Sequence, residues 1–365
     1  MMPTLGRLFE SRSNNFNLIR LLAALAVIYA HAPAITGHGP PEPFSEFMGK
    51  YTGAMAIDVF FLLSGFLVTA SALSGQGLRY FAASRVLRIY PALVLCIVLS
   101  VLVLGPLMTV SDAYWSRETW NYFWKNATAE QAMYHLPGVF AGHHDSAVNG
   151  SLWSLPLEVR LYVGLFALAA IGLLRRRGWF NLVGVAALAA GYFTEFDQGP
   201  VWPYKYHIHS SLMFLVGSLA WVNRDSIPVS WRILLPFVAV ALLTRHTPAF
   251  DVVYEVMLPY AVFTAAFAPG LEGFNRAGDY SYGMYLYGWP AQQMALSAMQ
   301  GASSNAVNTL LGWAIAFLLA MASWHLVEKP ALALKRRFAR ATLRRRSPPA
   351  AGPPESAARS AHRPG

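Results

Sequence analysis

The sequence predicts an all-α membrane protein, a polytopic bundle of about ten transmembrane helices with both termini on the cytoplasmic side. Of its 365 residues, 55% are hydrophobic and only 13% are charged, whereas roughly 25% are charged in an average soluble domain. Uncharged apolar stretches of about twenty residues recur, and a helix of that length crosses the roughly 30 Å hydrocarbon core of a bilayer. These observations exclude a soluble domain and a disordered chain.

Ten apolar stretches are interpreted as membrane spans. They lie near residues 16–35, 53–73, 86–109, 155–174, 179–195, 207–222, 231–245, 251–268, 280–298 and 305–327. The single cysteine, Cys96, lies inside one of them, so neither a disulfide framework nor a cysteine-based metal site can be built from this chain alone. Polar residues within the first stretch indicate an uncleaved signal anchor rather than a secretory signal peptide.

The distribution of basic residues predicts the orientation of the chain. With the N-terminus inside, the inner segments carry 21 Lys and Arg residues and the outer segments carry 5, which is the bias of the positive-inside rule. The net charge of +10 therefore reflects cytoplasmic loops rather than a nucleic-acid surface. We expect a membrane domain over residues 1–337, with an outer loop at about 110–150, and a disordered basic tail over residues 338–365.

Ionisable residues at membrane depth are costly unless they are paired or face a wet cavity, so they mark candidate sites. Arg20 and His31 are eleven residues apart on the first helix, which places them on one face about 16 Å apart. A histidine near the outer end can be neutral near pH 7 and accept a proton from a hydroxyl. Asp58 and Glu158, on other helices, are candidates to orient it. Buried ion pairs that only fix helix packing are an equally good interpretation of each charged residue other than His31.

A second group of basic residues lies at the predicted cytoplasmic mouth of the third span. Arg85 and Arg88 are three residues apart, so they share a helix face. Together with Arg20 they can bind an anion through planar guanidinium groups, or they serve as plain positive-inside anchors. A positively charged vestibule on the cytoplasmic side that leads to the deeper histidine indicates a reaction whose group donor is cytoplasmic and phosphorylated. No metal site is predicted, because the adjacent loop histidines at positions 143 and 144 lack the spacing of helical ligands.

Six short motifs follow one another along residues 17–330. In chain order they are Arg20-x10-His31, GAMAIDVFFLLSGF at 53–66, RVLRIYP at 85–91, SLWSLPLE at 151–158, GDYSYGMYLY at 278–287 and VEKP at 327–330. Each motif alone is weak, but the ordered set resembles the acyltransferase type 3 family. Members of that family are integral membrane O-acyltransferases that transfer acyl groups from acyl-coenzyme A to sugars and other hydroxylated acceptors.

The resemblance implies ten helices around a core cavity and a role for each candidate residue. The implied catalytic residues are His31, Glu158 and Asp58, the implied donor-binding residues are Arg20, Arg85, Arg88 and Tyr90, and the acceptor-binding candidates are Trp153, Tyr282 and Tyr285. Two departures from the family pattern matter. Val159 and Arg160 stand where many members have a second carboxylate or amide, and Gly288 stands where many have a histidine. Glu158 is therefore the main candidate for a catalytic carboxylate on the fourth helix, and no catalytic histidine is expected on the ninth.

The expected reaction is transfer of an acetyl or other short acyl group from cytoplasmic acyl-CoA to a hydroxyl of a cell-envelope glycan or lipid-linked sugar, in the bacterial inner membrane. Acyl-CoA is a co-substrate, and no tightly bound cofactor is expected. Direct transfer needs no covalent intermediate, and Cys96 is a poor carrier because an apolar environment disfavours its thiolate. Two alternatives stay open. A multi-span transporter often has an inverted repeat, which is not visible in this sequence, and a polyprenyl-linked glycan ligase or polymerase would not need a basic inner vestibule.

Overall fold

The computed structural model describes residues 2–11, 13–39, 42–196, 205–276 and 278–335. Within these ranges the chain folds into helices and connecting loops and forms no β-strand. The prediction of an all-α protein is confirmed. The predicted basic tail over residues 338–365 lies outside the described residues.

Fourteen α-helices follow one another in the described part of the chain. They are α1 Leu5–Glu10, α2 Phe16–Thr36, α3 Pro43–Met48, α4 Thr52–Ala72, α5 Leu78–Leu99, α6 Gly105–Met108, α7 Arg117–Ala127, α8 Ser154–Ala170, α9 Arg177–Phe196, α10 Lys205–Val222, α11 Trp231–Thr244, α12 Pro248–Ala266, α13 Ser281–Ala298 and α14 Asn305–Ser323. A π-helical turn at Ser100–Leu104 joins α5 to α6, and another at Trp324–Glu328 extends α14.

Six helical segments of the described residues are long and apolar enough to cross a membrane. They are Phe16–Thr36, Thr52–Ala72, Leu78–Met108, Gly150–Ala170, Pro248–Ala266 and Asn305–Lys335. Each coincides with a predicted span, and α9, α10, α11 and α13 coincide with the other four. Ten crossings and cytoplasmic termini stay predictions.

Two glycines let α4 and α10 pack backbone against backbone. A Cβ atom at Gly65 would lie 1.9 Å from the Phe214 carbonyl oxygen, and one at Gly217 would lie 2.0 Å from the Leu62 carbonyl oxygen. Small residues permit this close approach between membrane helices. The contact fixes the rotation of α4, and therefore decides which of its side chains face the core.

Helix α13 is buried on nearly all sides and lies against α2 and α14. Amide side chains join the three helices, because Gln292 Nε2 donates to the Ile28 carbonyl oxygen and to Asn308 Oδ1, each at 2.9 Å. The Asn308 amide donates in return to the Gln292 carbonyl oxygen at 3.0 Å. A polar interior of this kind specifies one register between the helices, since each buried amide needs its partner.

The loop between α6 and α8 folds back along α5. Tyr122 of α7 is fully buried, and the Tyr90 hydroxyl donates to the Thr128 carbonyl oxygen at 3.2 Å. The end of the loop is tied to α13, where Trp289 Nε1 donates to the Ala147 carbonyl oxygen at 2.9 Å. Three tryptophans of this segment are exposed, Trp115, Trp120 and Trp124.

We expect Gly217→Ala to destabilise the protein, because its Cβ would overlap the α4 backbone, which cannot move aside as a side chain can. Overpacking of this kind costs about 1–3 kcal/mol. Gly164→Ala on α8 is the matched control, since nothing lies within 4 Å of its added Cβ. Thermal unfolding in one detergent should show a lower midpoint for Gly217→Ala only, and equal midpoints for the two variants would contradict the packing described.

Candidate functional site

Two cavities lie one beyond the other in the core. The first, which we call the arginine cavity, has a volume of about 80 Å³ and is lined by Arg20, Arg85, Arg88, Ser64, Glu158, Tyr162 and Tyr282 among others. The second, the histidine cavity, has a volume of about 320 Å³ and is lined by His31, Tyr51, Tyr134, Trp153, Tyr206 and His207 among others. Ile57 and Tyr285 line both cavities.

An ion-pair network closes one side of the arginine cavity. Asp279 Oδ2 accepts from Arg20 Nη1 at 2.9 Å and from Arg88 Nη2 at 2.5 Å. Arg88 Nη1 also lies 3.7 Å from Glu328 Oε2, and Glu328 is itself buried. Burial alone would raise the pKa of Asp279, but the two guanidinium groups outweigh it and lower the pKa from 3.8 to about 2. Arg20 and Arg88 are therefore held by an ionised carboxylate between α2, α5 and α13.

Sequence reasoning missed Asp279 and Glu328 as site residues. Both lie within the six motifs, in the GDYSYGMYLY and VEKP segments, but neither lies in the middle of a predicted span. A charged residue at the edge of an apolar stretch is ordinarily an interfacial group, so the pattern offered no reason to single them out. Their position inside motifs that resemble those of the acyltransferase type 3 family was the signal that could have found them.

Arg85 differs from the other two arginines of the cavity. Within the described residues, no carboxylate lies within ion-pair distance of its guanidinium group. Arg85 Nε donates to Ser84 Oγ at 3.3 Å, and the guanidinium carbon lies 5.7 Å from the centre of the Tyr162 ring. Its charge is thus uncommitted and faces the cavity, where an anionic group can pair with it.

A carboxylate with two hydroxyl donors also lines the arginine cavity. Ser64 Oγ donates to Glu158 Oε1 at 3.0 Å, and the Tyr162 hydroxyl donates to the same oxygen. The two hydroxyl oxygens are 2.7 Å apart. Glu158 and Tyr162 are one turn apart on α8, so both point towards Ser64 on α4. Glu158 belongs to the arginine cavity and makes no described hydrogen bond with His31.

His31 is half-buried on α2 and lines the histidine cavity. Its Nδ1 atom is buried and has no hydrogen-bond partner among the described residues. The ring packs edge to face against Trp289, with centroids 4.7 Å apart. Two further rings face the same space, Trp153 and His207, whose centroids are 5.3 Å apart. Sequence reasoning did not consider His207, which lies in the first turn of α10.

Asp58 is turned away from both cavities. Its Oδ2 atom accepts from the Tyr254 hydroxyl at 2.7 Å and lies 3.1 Å from His209 Nε2, and His209 Nε2 lies 3.7 Å from Glu255 Oε1. Successive residues of a helix are 100° apart, so when Ile57 faces the cavities, Asp58 faces α10 and α12. A hydrogen bond from either carboxylate to His31 was expected and is absent among the described residues. Asp58 is bonded to α12 and lies beside α10, and Glu158 is bonded to Ser64 on α4 and to Tyr162 on its own helix.

The remaining predicted residues are divided between the site and its surroundings. Tyr282 donates to the Ile89 carbonyl oxygen at 3.0 Å, and its ring centre lies 5.6 Å from the Arg88 guanidinium carbon. Tyr90 lines neither cavity and anchors the loop at Thr128. His143 also anchors that loop, since its Nδ1 lies 2.7 Å from Gln293 Oε1. Among the described residues, no cluster of three or more His, Cys, Asp or Glu could hold a metal ion.

Comparison with known proteins places this geometry in context. Residues 13–327 match the family model for the acyltransferase domain of the type 3 group. The chain is 26% identical over 339 residues to an O-acetyl transferase of Shigella phage Sf6, covering 87% of this chain and 96% of that protein. It is 27% identical over 352 residues to nodulation protein 10 of Rhizobium leguminosarum bv. viciae, covering 88% and 94%. No solved structure matches closely enough to count as similar.

We expect Asp279→Asn to lower stability sharply, because it removes the buried carboxylate that pairs with two partly buried guanidinium groups. Breaking a buried ion pair by removing one partner costs about 3–5 kcal/mol. Asp251→Asn is the matched control, since Asp251 is 53% exposed where Asp279 is 11% exposed, and it pairs with Lys50 at 3.5 Å. An exposed pair contributes about 1 kcal/mol or less. Thermal unfolding midpoints measure both, and a similar small loss in the two variants would show that the network does not hold the helices.

Proposed function

Because the chain belongs to the acyltransferase type 3 family of integral membrane O-acyltransferases, we propose that it transfers an acetyl or other short acyl group from cytoplasmic acyl-CoA. The proposed acceptor is a hydroxyl of a cell-envelope glycan or lipid-linked sugar. One observation carries the proposal. Arg85, which has no carboxylate partner among the described residues, and His31, whose Nδ1 has no hydrogen-bond partner there, lie in two neighbouring cavities that share Ile57 and Tyr285 as lining residues.

The arginine cavity supplies what a nucleotide-linked thioester needs. Arg85 offers a free guanidinium group, and guanidinium groups bind phosphate through two parallel hydrogen bonds. Arg20 and Arg88 add positive charge but are already held by Asp279, so we assign Arg85 the principal phosphate contact. The hydroxyls and carboxylate of Ser64, Tyr162 and Glu158 can hydrogen-bond the amides of the pantetheine arm. Glu158 then acts on the donor rather than on His31.

The histidine cavity supplies a base. In the proposed reaction, a ring nitrogen of His31 accepts the proton of the acceptor hydroxyl while the hydroxyl oxygen attacks the thioester carbonyl carbon. The carbon–sulfur bond breaks, and the departing CoA thiolate takes the proton back from the imidazolium. The ester forms in one transfer, so no enzyme side chain carries the acyl group. Trp289 keeps the imidazole in place through its edge-to-face contact, since no carboxylate among the described residues hydrogen-bonds it.

The walls of the histidine cavity suit a sugar. Five tyrosine and tryptophan rings line it, and such rings offer apolar faces with polar edges. They are Tyr51, Tyr134, Trp153, Tyr206 and Tyr285. One relative is named an O-acetyl transferase. In the proposed arrangement the chain crosses the bacterial inner membrane ten times with both termini in the cytoplasm, which opens the arginine cavity to cytoplasmic acyl-CoA. The positive-inside charge bias supports this orientation.

We expect His31→Ala to lower acceptor-dependent release of CoA by at least about 100-fold, which is the usual contribution of a general base. Purified protein in detergent or proteoliposomes is given acetyl-CoA and a crude envelope-glycan acceptor, and free thiol is measured. His38→Ala is the control, because His38 is exposed and lines neither cavity. If folded wild type releases no CoA, or if His31→Ala retains full turnover, the proposal fails. Solute flux or lipid diphosphate release should then be measured, as a transporter or a glycan ligase would predict.

We expect Arg85→Gln to raise the KM for acetyl-CoA by roughly 10- to 100-fold, because a hydrogen bond to a charged group contributes about 1.5–3 kcal/mol. The KM for the acceptor should change little, since Arg85 lies outside the histidine cavity. Arg160→Gln is the control, because Arg160 is an exposed residue of α8 whose guanidinium donates to the Glu130 carbonyl oxygen. Initial rates at varied acetyl-CoA test the assignment, and an unchanged KM in Arg85→Gln would overturn it.

A further inference from the structure

A narrow partition separates the two cavities. Ile57 on α4 and Tyr285 on α13 line both of them, and the two residues are only 8% and 7% exposed. Each side chain therefore borders the arginine cavity and the histidine cavity, and the rest of its surface is covered by protein. Any group that moves from the arginine cavity to His31 by the direct path therefore passes along the side chains of these two residues.

Both sides of the partition are held in place. The Tyr285 hydroxyl donates to the Ser151 carbonyl oxygen at 2.8 Å and lies 2.6 Å from Ser154 Oγ. Its ring packs edge to face against Phe60, with centroids 5.6 Å apart. Ile57 cannot retreat with its backbone, because α4 is locked against α10 by the close approach at Gly65. The width of the partition is thus set by side-chain size rather than by helix movement.

We propose that Ile57 and Tyr285 form an acyl port, through which the thioester end of the donor reaches His31, and that its width selects short acyl groups. This inference rests on the proposed function. With the phosphates on Arg85, the acyl group is the leading end of the donor and must enter the port first. A slim acetyl group passes between the two side chains, whereas each added methylene must displace one of them from close packing.

The same partition protects the thioester from wasteful hydrolysis. While no acceptor is bound, the thioester stays on the arginine-cavity side of the port, and in a widened port water from the histidine cavity reaches its carbonyl carbon there. The water oxygen then forms the new bond to the carbonyl carbon, the carbon–sulfur bond breaks, and free CoA thiol and a carboxylic acid result. A closed port limits this reaction because the apolar faces of Ile57 and Tyr285 exclude water from the path.

Two substitutions at one position test the port in opposite directions. Ile57→Ala removes three carbons and should raise the rate with butyryl-CoA relative to acetyl-CoA by about tenfold, since one or two methylenes in a fitted pocket change selectivity by that order. It should also raise CoA release without acceptor. Ile57→Phe narrows the port and should lower the same ratio. Ile97→Ala is the matched control, because Ile97 is fully buried on α5 and lines neither cavity.

The measurement is the ratio of acceptor-dependent rates with butyryl-CoA and acetyl-CoA for purified wild type and the three variants. Opposite shifts in the two Ile57 variants, with an unchanged ratio in Ile97→Ala, support the port. If Ile57→Ala does not fold, the direction found with Ile57→Phe still decides. If wild type turns over acetyl-CoA but neither Ile57 variant changes the ratio, the port is overturned while the proposed function stands. If wild type turns over no acyl-CoA, both fall together.

Discussion

The pairing of one carboxylate with two arginines is the interaction on which the rest of the core depends. Asp279, just before α13, pairs with Arg20 of α2 and with Arg88 of α5. Glu328, in the π-helical turn that follows α14, lies 3.7 Å from the Arg88 guanidinium group. Each charge would be costly in the protein interior without its partner. Four helix segments meet at this one group, so the network positions Arg20 and Arg88 in the wall of the arginine cavity. Arg85, which is outside the network, is the arginine whose charge can pair with a ligand.

The close contact of α4 with α10 decides what the other wall of the core presents. Gly65 and Gly217 bring the two backbones together, and this fixes the rotation of α4. Ile57 and Ser64 are seven residues apart, so both face the cavities, while Asp58 is turned 100° towards α10. The buried Asp58 therefore belongs to a hydrogen-bonded group that joins α4, α10 and α12. Ile57, its neighbour in sequence, lines both cavities instead.

The candidate site was predictable in its residue types but only partly in its arrangement. Helical periodicity places Arg20 and His31 on one face at two depths, and the structure has them in two separate cavities of the same core. The sequence could not tell whether Glu158 lies beside His31 or beside the arginines, because a carboxylate in the second turn of α8 could face either cavity. Its contacts with Ser64 and Tyr162 depend on how α8 is rotated against α4.

The sequence by itself determined that this is a helical membrane protein, where its apolar helices lie, and which family it belongs to, since hydropathy, helical period and ordered motifs are properties of the chain alone. Only the tertiary structure decided which carboxylate pairs with which arginine, that Arg85 is uncommitted, and that Ile57 and Tyr285 stand between the two cavities. These features depend on the rotation and separation of helices that are far apart in sequence. The packing of small residues and buried polar partners sets that geometry, and no local pattern encodes it.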